Sequence, residues 1–589
     1  MSSQPRGSQN NDSFSLGLAV GILLLLVVVS GTMENSGQIW AEGVLVVGAA
    51  VLAPLVLRRL LWSQLGGARV TLLVGGWGVA IWAAASTFAH LGDGPWQQAI
   101  YGWFGRGTGV LAYVAAAVLL TAGMVLTRVE IWRVLYCIVA AGFLSAFVTV
   151  IQVVSGYPGS GEGAPGLMGN ADFNGALCGL ACGLALLLAA RVARRSLWHV
   201  VLLGLIATLC TAGAVLSQSW QSGLTVVVAV AVGSSIHAYV RRSWLGLGVS
   251  VAVLAVVLVL GVLIFAGVVV LPGAVVDARL IYWQSALSTM KHVPLTGMGP
   301  DAFAEAVAQF RPMDYLTVRD PSHHVSAAHN IPLQLGATLG VPALAFWVLA
   351  MGAAAFALVR ALRARVVAAG VVAAVVGAWA AYLAQSLISV DQLALLAIGW
   401  TLTGLVMAAI APMSDEIPSG IAPWQFVISC FGAAVAIIVV LPEGLAISKA
   451  LHASTSAQTS EAMTSAWTPC SLRANLAQTA FAAPVRVFAA AYDLDPRCPG
   501  VGDTYVSKLL NNNLPAQAKS IAEQVISHDP LDLTAWILLG VADARLGDVA
   551  GAKAAQAQAL AIARYGSRLA YQPQLRQLSR EIRRAESAR

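Results

Sequence analysis

Charge is what this sequence has least of. Of 589 residues only 10% are Asp, Glu, Lys or Arg, while 58% are hydrophobic; soluble domains carry about 25% charged residues. So few charges cannot coat a water-soluble fold of this size, and lipid has to be the solvent for most of the chain. The formal charge of +7 is divided among separate loops, not gathered into a patch, so no nucleic-acid partner is expected. A small-residue cleavage signature is also missing. The polar stretch 1–15 leads into the apolar run 16–33, which is expected to be retained as a span and not removed as a signal peptide. Acids and bases are almost absent from the apolar runs themselves, whereas ion-coupled transporters keep charges at mid-membrane depth.

Apolar runs long enough to cross a bilayer recur at 16–33, 39–57, 70–89, 107–126, 131–154, 173–192, 197–216, 221–240, 244–271, 333–359, 366–388, 392–411 and 424–441. That makes about thirteen helical spans, because backbone groups in lipid have to be satisfied within each segment. Arginine marks alternate loops: Arg58, Arg59 and Arg69; Arg128 and Arg133; Arg191, Arg194 and Arg195; Arg241 and Arg242; Arg360, Arg363 and Arg365. The intervening loops carry Glu34, Asp93, Glu162 and Asp391, with Arg106 as the exception. The positive-inside rule then expects a cytoplasmic N-terminus, with the loop 272–332 and everything after Leu441 outside. The stretch 412–423 runs against the pattern, since it should lie inside but holds Asp415 and Glu416.

Beyond Leu441 the composition changes. Ala516-Gln517-Ala518-Lys519 returns 34 residues later as Ala550-Gly551-Ala552-Lys553, with Trp536, Leu539, Gly540 and Ala544 between them and Pro530 at the boundary. This is the period of tetratricopeptide repeats, whose stacked helix pairs bury their apolar faces; an unrelated helical bundle is the plainer alternative. Five of the seven cysteines (Cys137, Cys178, Cys182, Cys210 and Cys430) fall in apolar runs, where they act as small apolar residues. Cys470 and Cys498 are the two left for the outer segment, so a disulfide between them is expected there, against free thiols or pairing with another protein.

Polar residues gather at the outer ends of the expected spans: Arg106, then Asn170, Asp172 and Asn174, then Gln218 to Gln221, then Gln385, Ser389 and Asp391. Singly each is an ordinary interfacial residue; together they point to a site under the loop 272–332. That loop holds Leu280, Trp283, Leu287 and Met290 on one helical stripe, and Phe303, Val307 and Phe310 on a second. Between the two, Pro294, Gly297, Gly299 and Pro300 break the helix. Arg279, Lys291, Arg311 and Arg319 supply positive charge, and His323, His324, His329 and Asn330 close the loop. A zinc site at the three histidines is a weak reading, because the spacing matches no standard ligand set.

Four segments resemble the O-antigen ligase/polymerase superfamily. Asp277 to Trp283, running on through Pro294-Leu295-Thr296-Gly297-Met298-Gly299 to Phe303, is similar to the start of its catalytic loop. Ala328-His329-Asn330, followed by the run Leu333 to Pro342, is similar to its His-Asn segment. Gly169-Asn170 to Asn174 resembles its Gly-Asn motif, and Gln385 to Asp391 with Gly399-Trp400 resembles its late-span motifs. Ser217-Gln218-Ser219-Trp220 departs from the family's Ser-Arg at the matching place. The resemblance implies a GT-C-like transmembrane body that moves a glycan from a polyprenyl pyrophosphate to an acceptor hydroxyl at the outer leaflet. Neither nucleotide sugar, cofactor nor metal is implied.

Within that reaction Arg279 is the first choice for the leaving pyrophosphate, because guanidinium binds phosphate oxygens in a fork; Arg311 and Arg106 follow. His329 is the candidate base, or an orienting group. Asn170, Asn174, Asn330 and Gln385 are candidate substrate contacts. The plainer readings are a snorkelling Arg279 and helix-capping His329 and Asn330.

The expected fold is therefore all-α: a tail at 1–15, a membrane domain at 16–441 with its outer loop 272–332, and an extracytoplasmic helical domain at 442–589. Expected partners are the lipid-linked donor, a glycan, lipid or protein acceptor, membrane lipid, and a protein bound through the repeats. A polymerase, a protein O-oligosaccharyltransferase, a solute transporter and a non-catalytic scaffold are the rivals.

Overall fold

The computed structural model describes residues 15–588 apart from 32–36, 64, 92–95, 160–162, 194, 270–275, 322–323, 414–420 and 566–569. His323, Arg194, Asp415 and Glu416 lie outside the described residues.

Every named element among the described residues is a helix. The chain opens with α1 (Leu16–Ser30), α2 (Gly37–Trp62), α3 (Gly67–Ala89), short α4 (Trp96–Tyr101), α5 (Val110–Met124), α6 (Arg128–Val154), α7 (Ala171–Val192), α8 (Leu197–Leu216), α9 (Trp220–Arg241) and α10 (Trp244–Phe265). The loop that follows carries α11 (Val276–His292), α12 (Phe303–Phe310) and a 3-10 turn at Met313–Thr317. Then come α13 (Ile331–Leu339), α14 (Val341–Ala364), α15 (Ala369–Ser386), α16 (Leu393–Ile410) and α17 (Pro423–Leu451). The chain ends in α18 (Ser456–Met463), α19 (Cys470–Thr479), α20 (Val485–Leu494), α21 (Val501–Asn511), α22 (Pro515–His528), α23 (Leu533–Arg545), α24 (Val549–Ala563) and α25 (Gln572–Ser587).

Among the described residues, eleven helices are long and apolar enough to cross a membrane. Shorter apolar helices, α1 and α5, stand at the first and fourth expected runs. The protein is a multi-pass membrane protein. Its bundle is held by close backbone approach: a Cβ on Gly123 of α5 or Gly404 of α16 would strike the backbone of the other helix. Small residues are how membrane helices pack, since lipid offers no hydrophobic drive between them. At one end Glu130, on the first turn of α6, receives Arg59 of α2 at 2.5 Å and the Gly17 N–H of α1 at 3.3 Å, tying three helices together.

Two expected segments are built differently. The run 333–359 is not one helix. Gly340, at φ 87°, separates α13 from α14. The loop threads this break: Val341 N–H donates to Pro294 O at 2.7 Å, and Gly299 N–H donates to Thr338 O at 2.9 Å. Glycine is needed there because a side chain at Gly340 would enter the Leu295 backbone. The second difference is at the expected boundary 441/442, which falls inside α17, a helix that continues through Pro442 to Leu451. Proline in a lipid-facing helix is tolerated where neighbours re-satisfy the backbone. Two acids missed as intramembrane charge, Glu42 of α2 and Glu443 of α17, are both buried.

The apolar residues divide into two large cores. One fills the bundle. The other runs without interruption from α11, α12 and the 3-10 turn into α19 to α25, through Tyr282, Phe303, Tyr315, Phe488, Tyr492 and Leu509. The helices after α17 are therefore packed onto the loop 276–330. Helices α22 and α24 begin at Pro515 and Val549, on the 34-residue step seen in the sequence. Cys470 and Cys498 are joined, with Cα atoms 5.5 Å apart.

Candidate functional site

Most of the polar candidates collect at the bundle end that carries the 266–330 loop, and their partners separate them. Asn170 is exposed and caps α7, accepting the Asp172 N–H at 2.8 Å. Asn174 is fully buried, with its amide spent: it accepts Ser145 Oγ–H at 2.6 Å and donates to Thr149 Oγ1, Ala164 O and Ser217 Oγ at 2.8, 3.2 and 2.9 Å. It knots α6, α7 and the end of α8 together, and the space it fills is left by Gly166 at φ 55°, where a Cβ would strike the Asn174 amide. Asn330 caps α13, accepting the Leu333 N–H at 3.0 Å, and donates to Leu387 O at 2.9 Å. Gln385 donates weakly to Val390 O at 3.4 Å and leaves Oε1 buried without a partner.

The arginines differ more sharply. Arg106 is buried and closed onto Asp301, with Nε to Oδ1 at 2.8 Å. Asp301 also accepts the Trp103 N–H at 2.7 Å, so this pair ties the turn before α5 to the loop. Arg311 is buried against Asp529 of the C-terminal helices, its Nη2 at 2.8 and 2.7 Å from the two carboxylate oxygens. Arg319 Nε donates to Tyr282 Oη at 2.6 Å.

Arg279 is the one left over. Its guanidinium sits 5.1 Å from the Trp220 ring centroid and makes no hydrogen bond or ion pair among the described residues. Burial pulls it below its ordinary value, with Asp172 and Tyr282 opposing; at such a starting value it remains a cation. Asp172, the nearby acid, accepts Ser219 Oγ–H at 2.6 Å. A cation half-buried on an aromatic face with no carboxylate in direct contact is set to receive an anion.

His329 lies within its field. Its backbone is left-handed at φ 52°, and its Nδ1 is buried without a partner. The ring centroid lies 6.0 Å from that of Tyr282. Burial first, then the field of Arg279, pulls the imidazole down to about 4, with Arg106 and Arg319 adding to the effect and Asp172 opposing it. At neutral pH it is uncharged and keeps an open lone pair. Its approach is set by Gln334, whose Oε1 accepts the Ala328 N–H at 2.8 Å. Arg279, His329 and Asp172 thus lie within one another's electrostatic reach, with the Trp220 ring at Arg279 and the Tyr282 ring at His329.

The structure sets His329 within the field of Arg279, spends Asn330 on a helix cap and the Leu387 carbonyl, and takes Asn174 and Arg311 into other contacts. His324, one of the histidines in the weak zinc reading, has Nε2 2.7 Å from Asp529 Oδ2. The one three-donor grouping among the described residues, Cys470, Asp495 and Cys498, has its sulfurs joined to each other. Sequence reading missed Asp301, Gln334 and Asp529. Trp220 was visible, since it follows the place where the family's Ser-Arg is replaced.

Residues 205–348 match the O-antigen ligase family. The match runs from α8 into α14 and includes Trp220, Arg279, Arg311, His329 and Asn330; Arg106, Asn170, Asn174 and Gln385 lie outside it. The protein thus carries an O-antigen ligase domain in a multi-span membrane body, and that family implies transfer or polymerisation of a lipid-linked glycan. No curated protein matches the chain.

Proposed function

We propose that the protein is a metal-independent glycosyltransferase that moves a polyprenyl-pyrophosphate-linked glycan onto an acceptor hydroxyl at the outer leaflet during cell-envelope polysaccharide assembly. The observation that carries this reading is Arg279, without a hydrogen bond or ion pair among the described residues, acting on His329, whose buried Nδ1 has no partner, within the matched segment. In the step, the acceptor oxygen forms a bond to the anomeric carbon as the bond from that carbon to the pyrophosphate oxygen breaks. The hydroxyl proton passes to His329, and the departing pyrophosphate takes its negative charge onto Arg279. A base held near 4 is weak by itself. The arriving pyrophosphate offsets the Arg279 field and raises His329 toward its ordinary value, so the base strengthens only when the donor is bound.

The reading includes an N-terminus in the cytoplasm and residues 442–589 outside as a tetratricopeptide-like domain, supported by the arginine alternation. Reporter fusions at Arg365 and after Gly444 then report opposite sides; the same side for both rejects the orientation. The function is tested by the envelope glycan profile of a deletion strain complemented with Arg279→Ala, Arg279→Lys or His329→Ala. Transfer is expected to fall by about 10²–10³-fold in the alanine variants, and lysine is expected to restore little, lacking the planar fork. Normal glycan in the Arg279→Ala strain rejects the site. Activity restored only by a divalent ion after chelation rejects the metal-free step.

A further inference from the structure

The tail and the loop meet at a buried three-way contact that the proposed chemistry does not use. Asp529 lies between α22 and α23, and its place is fixed by its own Oδ1, which accepts the Leu531 N–H at 3.1 Å. Its two oxygens take Arg311 Nη2 at 2.8 and 2.7 Å, and Oδ2 also takes His324 Nε2 at 2.7 Å. The Arg311 side chain is wholly enclosed, and those of His324 and Asp529 are each 7% exposed. One tail carboxylate therefore holds both ends of the loop segment 311–324. Between those ends stands Tyr315. The Arg311 guanidinium lies 5.2 Å from its ring, and its hydroxyl accepts the Val325 N–H at 3.3 Å. Tyr315 packs on Tyr282 with centroids 6.1 Å apart, and Tyr282 packs on His329. A second tie repeats the arrangement further along: Tyr571 Oη donates to Asp320 Oδ1 at 3.0 Å.

We propose that Asp529 is a positioning residue for the glycan transfer, through which the C-terminal helices hold the loop segment 311–330 and so present His329 to Arg279. It touches no reacting atom; it acts through Arg311, His324 and Tyr315. Breaking one member of a buried charged contact leaves the others unsatisfied, so the segment loosens instead of repacking. A displacement of about 1 Å at a catalytic group can cost about 10²-fold in rate. The inference rests on the transferase reading for its rate effect, but not for its structural one.

The full-length protein in detergent or vesicles is compared with Asp529→Asn, Asp529→Glu and, as a control on the exposed face of α22, Glu523→Gln. Hydrogen exchange in 311–330 is expected to speed up by about tenfold or more in Asp529→Asn, while the bundle helices exchange as before. The transfer kcat should drop by roughly tenfold or more with donor KM within about twofold, the pattern of a lost transition-state arrangement. Asp529→Glu should recover part of both, and Glu523→Gln should alter neither. Unchanged exchange in 311–330 overturns the proposal whatever the activity. Faster exchange with unaltered transfer also overturns it, since the loop would then be held for no catalytic purpose. If Asp529→Asn fails to fold, the same two readouts on Asp529→Glu decide. A wild-type protein without transfer activity would reject the transferase reading alone; the exchange measurement still judges the clasp.

Discussion

The bundle core and the loop-plus-tail core are made of different residues for different solvents. Across the α5–α16 contact of the bundle, Gly123 and Gly404 let backbones touch, and the surrounding lipid is as apolar as the side chains. The second core mixes alanine and leucine with a higher share of rings, Tyr282, Phe303, Tyr315, Phe488 and Tyr505 among them, whose removal from water drives the packing. The bundle should therefore be most sensitive to added atoms, and the loop-plus-tail core to atoms taken away.

The largest expected effect is on the bundle. Gly404→Leu sets a side chain against the backbone of Leu120 and Met124. Because backbone cannot move aside, the cost exceeds the about 1–3 kcal/mol of ordinary overpacking, and monodisperse protein should not be recovered from the membrane. Normal yield and melting would show that α5 and α16 do not rely on close approach. Next is Phe488→Ala in the second core, where a fully buried ring against Phe481 is lost. About 3–5 kcal/mol is expected, seen as protease sensitivity of the tail with the bundle left intact. Simultaneous melting of both parts would merge the two cores into one cooperative unit.

Replacing Cys470 and Cys498 by Ser removes a cross-link over a sequence separation of 28, worth about 3 kcal/mol through the unfolded chain. The tail should lose stability and the bundle none, as read by proteolysis of the variant. Two thiols that alkylate freely in protein from the native membrane would reject both the bond and the outward placement of the tail.

The smallest effect depends on pH. Glu305 of α12 is pushed up to about 7 by burial, with Asp495 of the tail next in importance. Gln98 Nε2 donates to its Oε1 at 3.0 Å, and Oε2 has no partner. A carboxyl whose value is raised on folding favours the folded state fully below its unfolded value near 4.3. That contribution is lost as pH rises through about 7. Glu305→Gln keeps the acceptor for Gln98 and removes the charge, so its melting temperature should match the wild type near pH 4 and exceed it at pH 8. Equal melting at both values would mean that the loop–tail interface admits water.

What the sequence decided alone is what depends on neighbours in the chain. Run lengths set the spans, because the rise of a helix against the thickness of the hydrocarbon core is local arithmetic. Gly340 with Pro342 marked the α13–α14 break in hindsight, although hydropathy averages over it. The stripe in 279–290 and the 34-residue step both became helices where the pattern put them. The site was legible as a set of candidates but not as an arrangement. Apart from the family resemblance that put Arg279 first, Arg106, Arg279 and Arg311 read alike in sequence, as loop arginines near the outer ends of spans. Only the folded chain brought Asp301 to Arg106 and Asp529 to Arg311, across sequence separations of 195 and 218. Arg279 it set over the Trp220 face, with no ion-paired carboxylate among the described residues. A guanidinium's availability is set by which carboxylate reaches it first, and at those separations that is decided by packing, not by pattern.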